Sequence, residues 1–471
     1  MVKKQKTVHG FWLLCLTLVI ILVQPGNHLR AAEKGGLEAA VAWGLVHSPT
    51  ILKLEEEVEQ IHRQLAKIET GLNWQAGFTG GITASGTEGA EAPSANRSSG
   101  EQAEVGIQGN KLFRTGLSLE PKITLKKQLS TDEEAEVGFT FRLQQQLYPW
   151  VPSPAEQEYY KTLNTLKKAE DNYEWQVTTA KIDWLEGYLD LLRLQEQLAV
   201  AETEYNVAVD ELALVQARQR IGEAGKQQIL AAQAALKQAE YRLKQGMNRF
   251  EEAKRQWLLA LGLPTDYHIV LEEKSSYFLE LQAEVEALEL TGDRQKLFAQ
   301  VEAAHYQVAA KRIDRAQLEQ EWTWKQKDYQ PEVTTGGTYD APSKSWTLNL
   351  NLTYQFWDGG ARRLEREEYE ARQRALDREE ESIRANLDSQ LKTLLGGVEL
   401  AELQLEEKKL TWEKVSNETV IYRQQLEAGY LTEKDWTLKD LERKTAELGY
   451  KTAEDQVFLS KLRVLQLIGL I

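Results

Sequence analysis

Cysteine occurs once in 471 residues, histidine six times and proline ten times. Beyond residue 31 no apolar run reaches the ~18 residues of a membrane-spanning helix. Each shortage removes a class of protein. Cys15 lies inside the apolar run Phe11 to Val23, which follows Lys3, Lys4 and Lys6 and precedes Ala31-Ala32. A basic start, a short apolar stretch and small residues at its end make 1–31 a secretory signal peptide, with an uncleaved anchor as the alternative. Because Cys15 stands mid-run behind Leu14, it is no lipid attachment site, and cleavage leaves a chain without thiols or disulfides. The histidines beyond the signal are His47, His62, His268 and His305, none at metal-ligand spacing. There is no phosphate loop, nucleophile elbow or catalytic pair, so we expect no enzyme, cofactor or metal site. Residues 1–31 hold four basic and no acidic side chains, so their removal takes the formal charge from −15 to −15 − 4 = −19. An exported chain this acidic is no nucleic-acid binder. Without an apolar helix, entry into a membrane requires strands.

What the chain does have is a long internal repeat. Gly222 and Gly225 correspond to Gly429 and Thr432 (429 − 222 = 207), Leu261-Gly262-Leu263 to Ile468-Gly469-Leu470 (469 − 262 = 207), and Gln146 to Gln355 (355 − 146 = 209). A period this long is a duplicated half-protein, not a solenoid. Thr79-Gly80-Gly81 matches Thr335-Gly336-Gly337 at 335 − 79 = 256, so the first copy carries 256 − 209 = 47 extra residues between Gly81 and Gln146. The first repeat covers 32–264, with strands within 73–148, an insertion at about 86–135 and a helical hairpin at 153–262. A linker, 265–290, leads to the second repeat at 291–471, with strands within 332–356 and a hairpin at 361–469.

From Ala155 to Arg220 apolar residues alternate at spacings of three and four, as in Leu191, Leu194, Leu198, Ala201 and Tyr205. The rhythm resumes after Gly222 and Gly225 with Ile229, Ala232, Leu236, Ala239, Leu243 and Gly246. Two long helices joined by so short a break fold back as an antiparallel hairpin, with Gly222 and Gly429 ending helices at the reversals. Gly187 and Gly396-Gly397 fall at matching helix positions, as glycines do at close packing or a bend. In the second copy the descending segment 363–427 has 65 residues and the returning one, 433–468, only 36. The preceding segment 294–327 has 34, and 34 with 36 makes 70, so one long helix can lie against two short ones end to end.

The strands alternate cleanly. In the eleven residues Trp346 to Phe356, Trp346, Leu348, Leu350, Leu352, Tyr354 and Phe356 face one way, and Thr347, Asn349, Asn351, Thr353 and Gln355 the other. Val137 to Tyr148 and Trp74 to Thr83 do the same, and the insertion adds Leu117, Leu119, Ile123 and Leu125 against Ser118, Glu120, Thr124 and Lys126. A soluble sandwich with one wet face would show this alternation too. The mostly uncharged polar face and Trp150, Trp346 and Trp357 at strand ends favour a lipid-facing barrel with interfacial aromatics. Helices must enter and leave on one side, so strands come in pairs, two or four in the first copy. The Ser/Gly/Ala/Glu-rich stretch 85–100 reads as a loop.

Helix, strand pair, long helix, tight turn and returning helix, duplicated behind a signal peptide, resembles the TolC-like outer membrane efflux family. The motifs that carry the likeness are the turn Leu426-x-x-Gly429-x-x-Thr432-x-x-Asp435-x-x-Leu438, similar to the family's periplasmic tip, and Phe356-Trp357-Asp358-Gly359-Gly360, similar to its "LFDGG" strand exit. Ser48-Pro49 stands where many members have Asn-Pro. The resemblance implies a mainly α protein with β: duplicated α-helical hairpins forming an α-barrel tunnel, and strand pairs closing a trimeric transmembrane β-barrel of twelve strands. It implies an outer membrane channel subunit of a tripartite efflux or type I secretion system, a homotrimer in outer membrane lipid with a periplasmic adaptor and an inner-membrane pump. A periplasmic coiled-coil adaptor or tether without a pore is the rival class.

By the same resemblance, the adaptor grips the tips at Arg220, Gly222, Gly225, Gly429, Tyr430 and Thr432, and the pore narrows near Asp435, Leu426 and Leu431. Only the second copy has the acid, since Gln228 takes the place of Asp435 in the first. Asp435, present three times around one axis, would form a cation-favouring ring, or would serve only the first turn of its helix. Leu438 stands where a second acid may occur, and Leu426 and Leu431 where a Tyr and an Arg can lock the tip, so apolar closure through Leu426, Tyr430 and Leu431 is a rival to charge.

Overall fold

A computed structural model describes residues 34–85, 100–129, 134–273 and 294–471, with 278, 281–283 and 285 between them. The predicted signal peptide, most of the predicted loop at 85–100 and much of the inter-repeat linker lie outside the described residues. Strand β1 (Lys34–Gly35) and helices α1 (Leu37–His47) and α2 (Pro49–Gly71) lead into strands β2 (Gln75–Ser85), β3 (Gly100–Leu112), β4 (Ser118–Gln128) and β5 (Glu136–Tyr148). Helices α3 (Pro154–Arg220) and α4 (Lys226–Ala260) follow, then the short β6 (His268–Ile269), which pairs parallel with β1. The order then recurs: α5 (Arg294–Ala304), α6 (Tyr306–Lys327), β7 (Glu332–Asp340), β8 (Ser345–Thr353), α7 (Ala361–Glu427) and α8 (Glu433–Leu467). Helices α3 and α7 both have 67 residues, and α4 and α8 both have 35. That equality is the physical content of the constant offset.

The chain forms two compact units, and both hairpins contribute to each. One takes in Asp183–Ala283, Lys414–Leu448 and the segment ending at Pro49. Here the end of α4 meets the break between α1 and α2. Ser48 donates its hydroxyl to the Ala260 carbonyl (2.8 Å), and the Trp43 indole donates to the Gly262 carbonyl (3.2 Å). Pro49 suits the first helical position, where its missing N–H costs nothing. Gly262 turns the chain away at φ +68°, and a Cβ there would stand 2.2 Å from the His47 carbonyl oxygen. Gly187 is a close-packing glycine, as its position implied: a Cβ there would meet the Trp257 ring at 2.6 Å, and the Trp257 indole donates to the Trp184 carbonyl (2.7 Å). Gly396 and Gly397 have open space around them. The residue matching Trp257 is Val464 (464 − 257 = 207), too small to demand a gap.

The other unit comprises Thr50–Ile182, Glu284–Glu413 and Gly449–Ile471. At its matching junction, Gly469 (φ +72°) comes so close to Ala304 that a Cβ would lie 2.4 Å from the Ala304 methyl. The segment 294–327, expected as one helix, breaks here at His305. That ring is buried, packs on Trp175 (centroids 4.4 Å apart) and caps α6 by accepting the Gln307 N–H (3.3 Å). Burial pushes the imidazole down to about 4, which keeps it neutral and able to accept. Helix α6 therefore has 22 residues and α5 has 11. Both lie against α7: Arg294 and Glu302 of α5 pair with Asp388 (2.5 Å) and Arg384 (2.8 Å), and Arg315 of α6 with Glu380 (2.8 Å), so the one short helix expected here is two. Strand β8 has nine residues, not eleven: its ladder ends where Thr353 pairs with Glu332, the first residue of β7.

Gly222→Ala, in open space at φ +84°, is expected to lose ~1 kcal/mol for the left-handed backbone alone. Gly262→Ala adds the collision with His47 and should lose ~3 kcal/mol. Urea unfolding in detergent followed by circular dichroism compares the two; equal losses would remove the packing role of Gly262.

Candidate functional site

Two places stand out: the sheet and the turns between the long helices. Among the described residues the sheet has six antiparallel strands in the order β2-β3-β4-β5-β7-β8. The first copy therefore supplies four strands, and the insertion is the hairpin β3–β4. Register aligns Phe78, Ile107, Ile123 and Phe139 in one row across four strands, and Phe141, Tyr339 and Trp346 in another across β5, β7 and β8. The opposite face carries the row Gly77, Gln108, Lys122, Thr140, Asp340 and Ser345 across all six strands. It carries paired charges: Glu104 with Lys122 (3.2 Å) and Lys126 (3.7 Å), and Glu120 with Arg142 (3.6 Å). Among the described residues nothing covers the apolar face, and Phe78 is 72% and Leu348 70% exposed. A soluble sandwich would bury such side chains, at ~1.5–3 kcal/mol each. Among the described residues no helix is long and apolar enough to cross a membrane.

The three tryptophans named from the sequence are all bare: Trp150 just past β5, Trp346 second in β8, and Trp357 beyond the end of β8. The motif around Trp357 also gains a local cause. Gly359 and Gly360 take positive φ (65° and 96°), turning the chain from strand to helix. The Asp358 carboxylate accepts the N–H groups of Gly360 (3.0 Å) and Arg362 (2.9 Å) at the start of α7, which holds its carboxyl below the usual range.

The tips are chemically parallel but not identical. After α3 ends at Arg220, the Glu223 N–H donates to the Arg218 carbonyl (2.8 Å) and the Gly222 N–H to the Gln219 carbonyl (3.0 Å). After α7, Tyr430 donates to the Gln425 carbonyl and Gly429 (φ +76°) to the Leu426 carbonyl, both at 2.9 Å. These left-handed glycine endings satisfy helix carbonyls that would otherwise be unpaired. The returning helices differ at their starts. Thr432 and Asp435 cap each other: the Thr432 hydroxyl donates to the Asp435 carboxylate (2.6 Å) and accepts the Asp435 N–H (3.2 Å), and the Thr432 N–H donates to that carboxylate (3.3 Å). In the first copy the Gln228 side chain accepts the Gly225 N–H (3.0 Å) with no charge involved. The Thr432 side-chain bond, then its backbone N–H, lower the Asp435 carboxyl below its ordinary value. Asp435 thus performs the helix-start role foreseen for it. Leu426 and Leu431 are half-buried, and Lys434 pairs with Glu211 of the other hairpin.

Tyr430 is 84% exposed, and so is its less obvious companion Ile221, at 70%. Ile221 was missed from the sequence, although an isoleucine between Arg220 and Gly222 at a helix end has nothing local to pack on. Among the described residues no three His, Cys, Asp or Glu side chains converge on a metal position.

No protein-family model and no curated protein matches the chain. Its fold, however, is that of solved outer membrane channels. The Campylobacter jejuni CmeC outer membrane channel is 12% identical, with 92% of this chain covering 85% of that one at a TM-score of 0.64. The outer membrane protein VceC from Vibrio cholerae is 13% identical over 92% of this chain and 96% of its own, TM-score 0.60. The open state of the Neisseria gonorrhoeae MtrE outer membrane channel is 11% identical over 95% and 93%, TM-score 0.58. The duplicated hairpins and the sheet thus match that fold across nearly the whole chain.

The different caps predict different acid responses. A carboxyl lowered in the folded state supports the tip above the unfolded value of 3.8 and loses that support as pH falls through its lower folded value. Corrected for intrinsic rates, amide exchange protection at 433–437 should fall below pH ~4, the unperturbed carboxyl range, while protection at 226–230 holds. Thr432→Ala should loosen the second tip at every pH, raising exchange about fivefold for a cap worth ~1 kcal/mol. Parallel acid profiles at the two tips would refute the assignment.

Proposed function

We propose that the chain is one subunit of a homotrimeric outer membrane channel that carries solutes from a periplasmic adaptor and inner-membrane pump to the exterior, in tripartite efflux or type I secretion. The observation that carries this reading is the sheet: six strands with one bare apolar face, one polar face and two unpaired edges, β2 and β8. Six strands are too few to close a membrane barrel, whose minimum is eight, so the edges must pair with further copies. The likeness to outer membrane channel folds supports the same reading. An adaptor or tether would have no use for an uncovered apolar sheet.

In this reading most of the chain stands in the periplasm, where the charged helix faces are solvated. The tips, with Arg220, Gly222, Gly225, Gly429, Tyr430 and Thr432, meet the adaptor, and Trp150, Trp346 and Trp357 sit near the bilayer surface. The pore narrows at the second tips around Asp435, Leu426 and Leu431. A carboxylate held ionised by Thr432 can be both cap and ring member, because one of its oxygens is not used by the cap.

Detergent extraction of outer membranes should release a heat-modifiable oligomer that forms channels in planar bilayers; recovery as a soluble periplasmic monomer would sink the proposal. Asp435→Lys should reduce or reverse cation selectivity in those bilayers. Unchanged selectivity would remove Asp435 from the pore.

A further inference from the structure

The insertion bears on how wide the barrel is. We propose that hairpin β3–β4 is part of the membrane wall, so that three copies, each with six strands, close a barrel of eighteen strands rather than twelve. This rests on the channel reading above. Closure would come from pairing β2 of one copy with β8 of the next, the two strands with an open edge.

Four observations place the hairpin in the wall. First, it separates β2 from β5 completely: β2 pairs with β3 over eleven residue pairs, and β4 with β5 over nine. A hairpin folded into the lumen or over the mouth would leave β2 and β5 to pair with each other. Second, its faces agree with those of its neighbours. Ile107 and Ile123 stand in the row that starts at Phe78 and ends at Phe139, while Gln108 and Lys122 stand in the polar row. A slip of one residue would reverse every one of these.

Third, the hairpin interlocks with strands common to both repeats. On the polar face Thr79, Gly106, Thr124 and Gly138 form one row, and Thr124 is buried there. A Cβ at Gly138 would lie 2.7 Å from the Thr124 hydroxyl, and one at Gly106 3.2 Å from the Thr79 hydroxyl. Fourth, its turn is tied to the helices that flank the sheet. Between Phe113 and Leu117, with Gly116 at φ +82°, Arg114 lies 3.7 Å from both Glu69 at the end of α2 and Glu156 at the start of α3, and over the Tyr159 ring at 4.7 Å. Nearby, Lys111 donates to the Leu72 carbonyl (2.7 Å). Strands of 13 and 11 residues are long enough to cross when tilted.

Barrel diameter grows roughly linearly with strand number, so eighteen strands make the outer section about one and a half times as wide as twelve. The added arc also puts Glu104, Lys122 and Lys126 on the inner surface.

Cysteine labelling in proteoliposomes tests this, with Ile107→Cys, Ile123→Cys, Gln108→Cys and Lys122→Cys in the hairpin and Leu350→Cys and Asn349→Cys in β8 as reference. Expected is reaction of the Gln108, Lys122 and Asn349 variants with a membrane-impermeant methanethiosulfonate, and of the other three only with a lipid-phase probe. If β8 alternates but the hairpin sites all react from water, the hairpin lies outside the wall and the inference falls. If β8 fails to alternate as well, the channel reading falls with it. Electron imaging of the unmodified detergent-solubilised oligomer needs no variant: eighteen strands support the inference, twelve overturn it alone, and no barrel overturns both.

Discussion

In hydrocarbon an unpaired backbone N–H or carbonyl costs several kcal/mol, and no water is present to satisfy it. In the proposed assembly that one constraint orders the rest. It leaves the membrane to the strands, because the long helices carry too many charges to enter. It forbids open edges, so β2 and β8 cannot stay single. It also makes strands arrive in pairs, since a helix must stand on the same side of the bilayer before and after them. The insertion obeys that rule, adding two strands and no net crossing.

The same backbone accounting governs the helix ends. Every reversal of a long helix leaves carbonyls behind it and N–H groups ahead of it. Gly222, Gly262, Gly429 and Gly469 all take left-handed φ to close the carbonyl side, and each has its counterpart in the other copy. The N–H side is met by whatever polar atom is at hand: Ser153 caps α3, His305 caps α6, Asp358 caps α7, and Thr432 with Asp435 caps α8. Duplication therefore preserved the glycines and let the caps diverge. At the tips that divergence separates a charged cap from a neutral one.

The glycines also divide into two kinds. At Gly262 and Gly469 the neighbours come so close that no side chain fits, because the end of a returning helix is pressed against the break in a short one. At Gly222 and Gly429 nothing stands within 4 Å, and only the backbone angle calls for glycine. The first kind holds a junction together, whereas the second serves only the reversal of the chain.

Much of this was legible in the residues because it depends on local periodicity. Alternation of period two marked the strands, spacings of three and four marked the helices, and the constant offset marked the duplication, since equal helix lengths need equal numbers of residues. Two things were not legible. The break at His305 lies where Gly469, some 160 residues away (469 − 305 = 164), comes against Ala304, so no local pattern announces it. Whether the first copy has two strands or four depends on register, for the insertion's alternation is the same whether it joins the wall or folds aside. Sequence determined which face of each strand is apolar and where the helices reverse. Only tertiary structure decided which strands neighbour one another, because hydrogen-bond partners in a sheet are chosen across the chain, not along it.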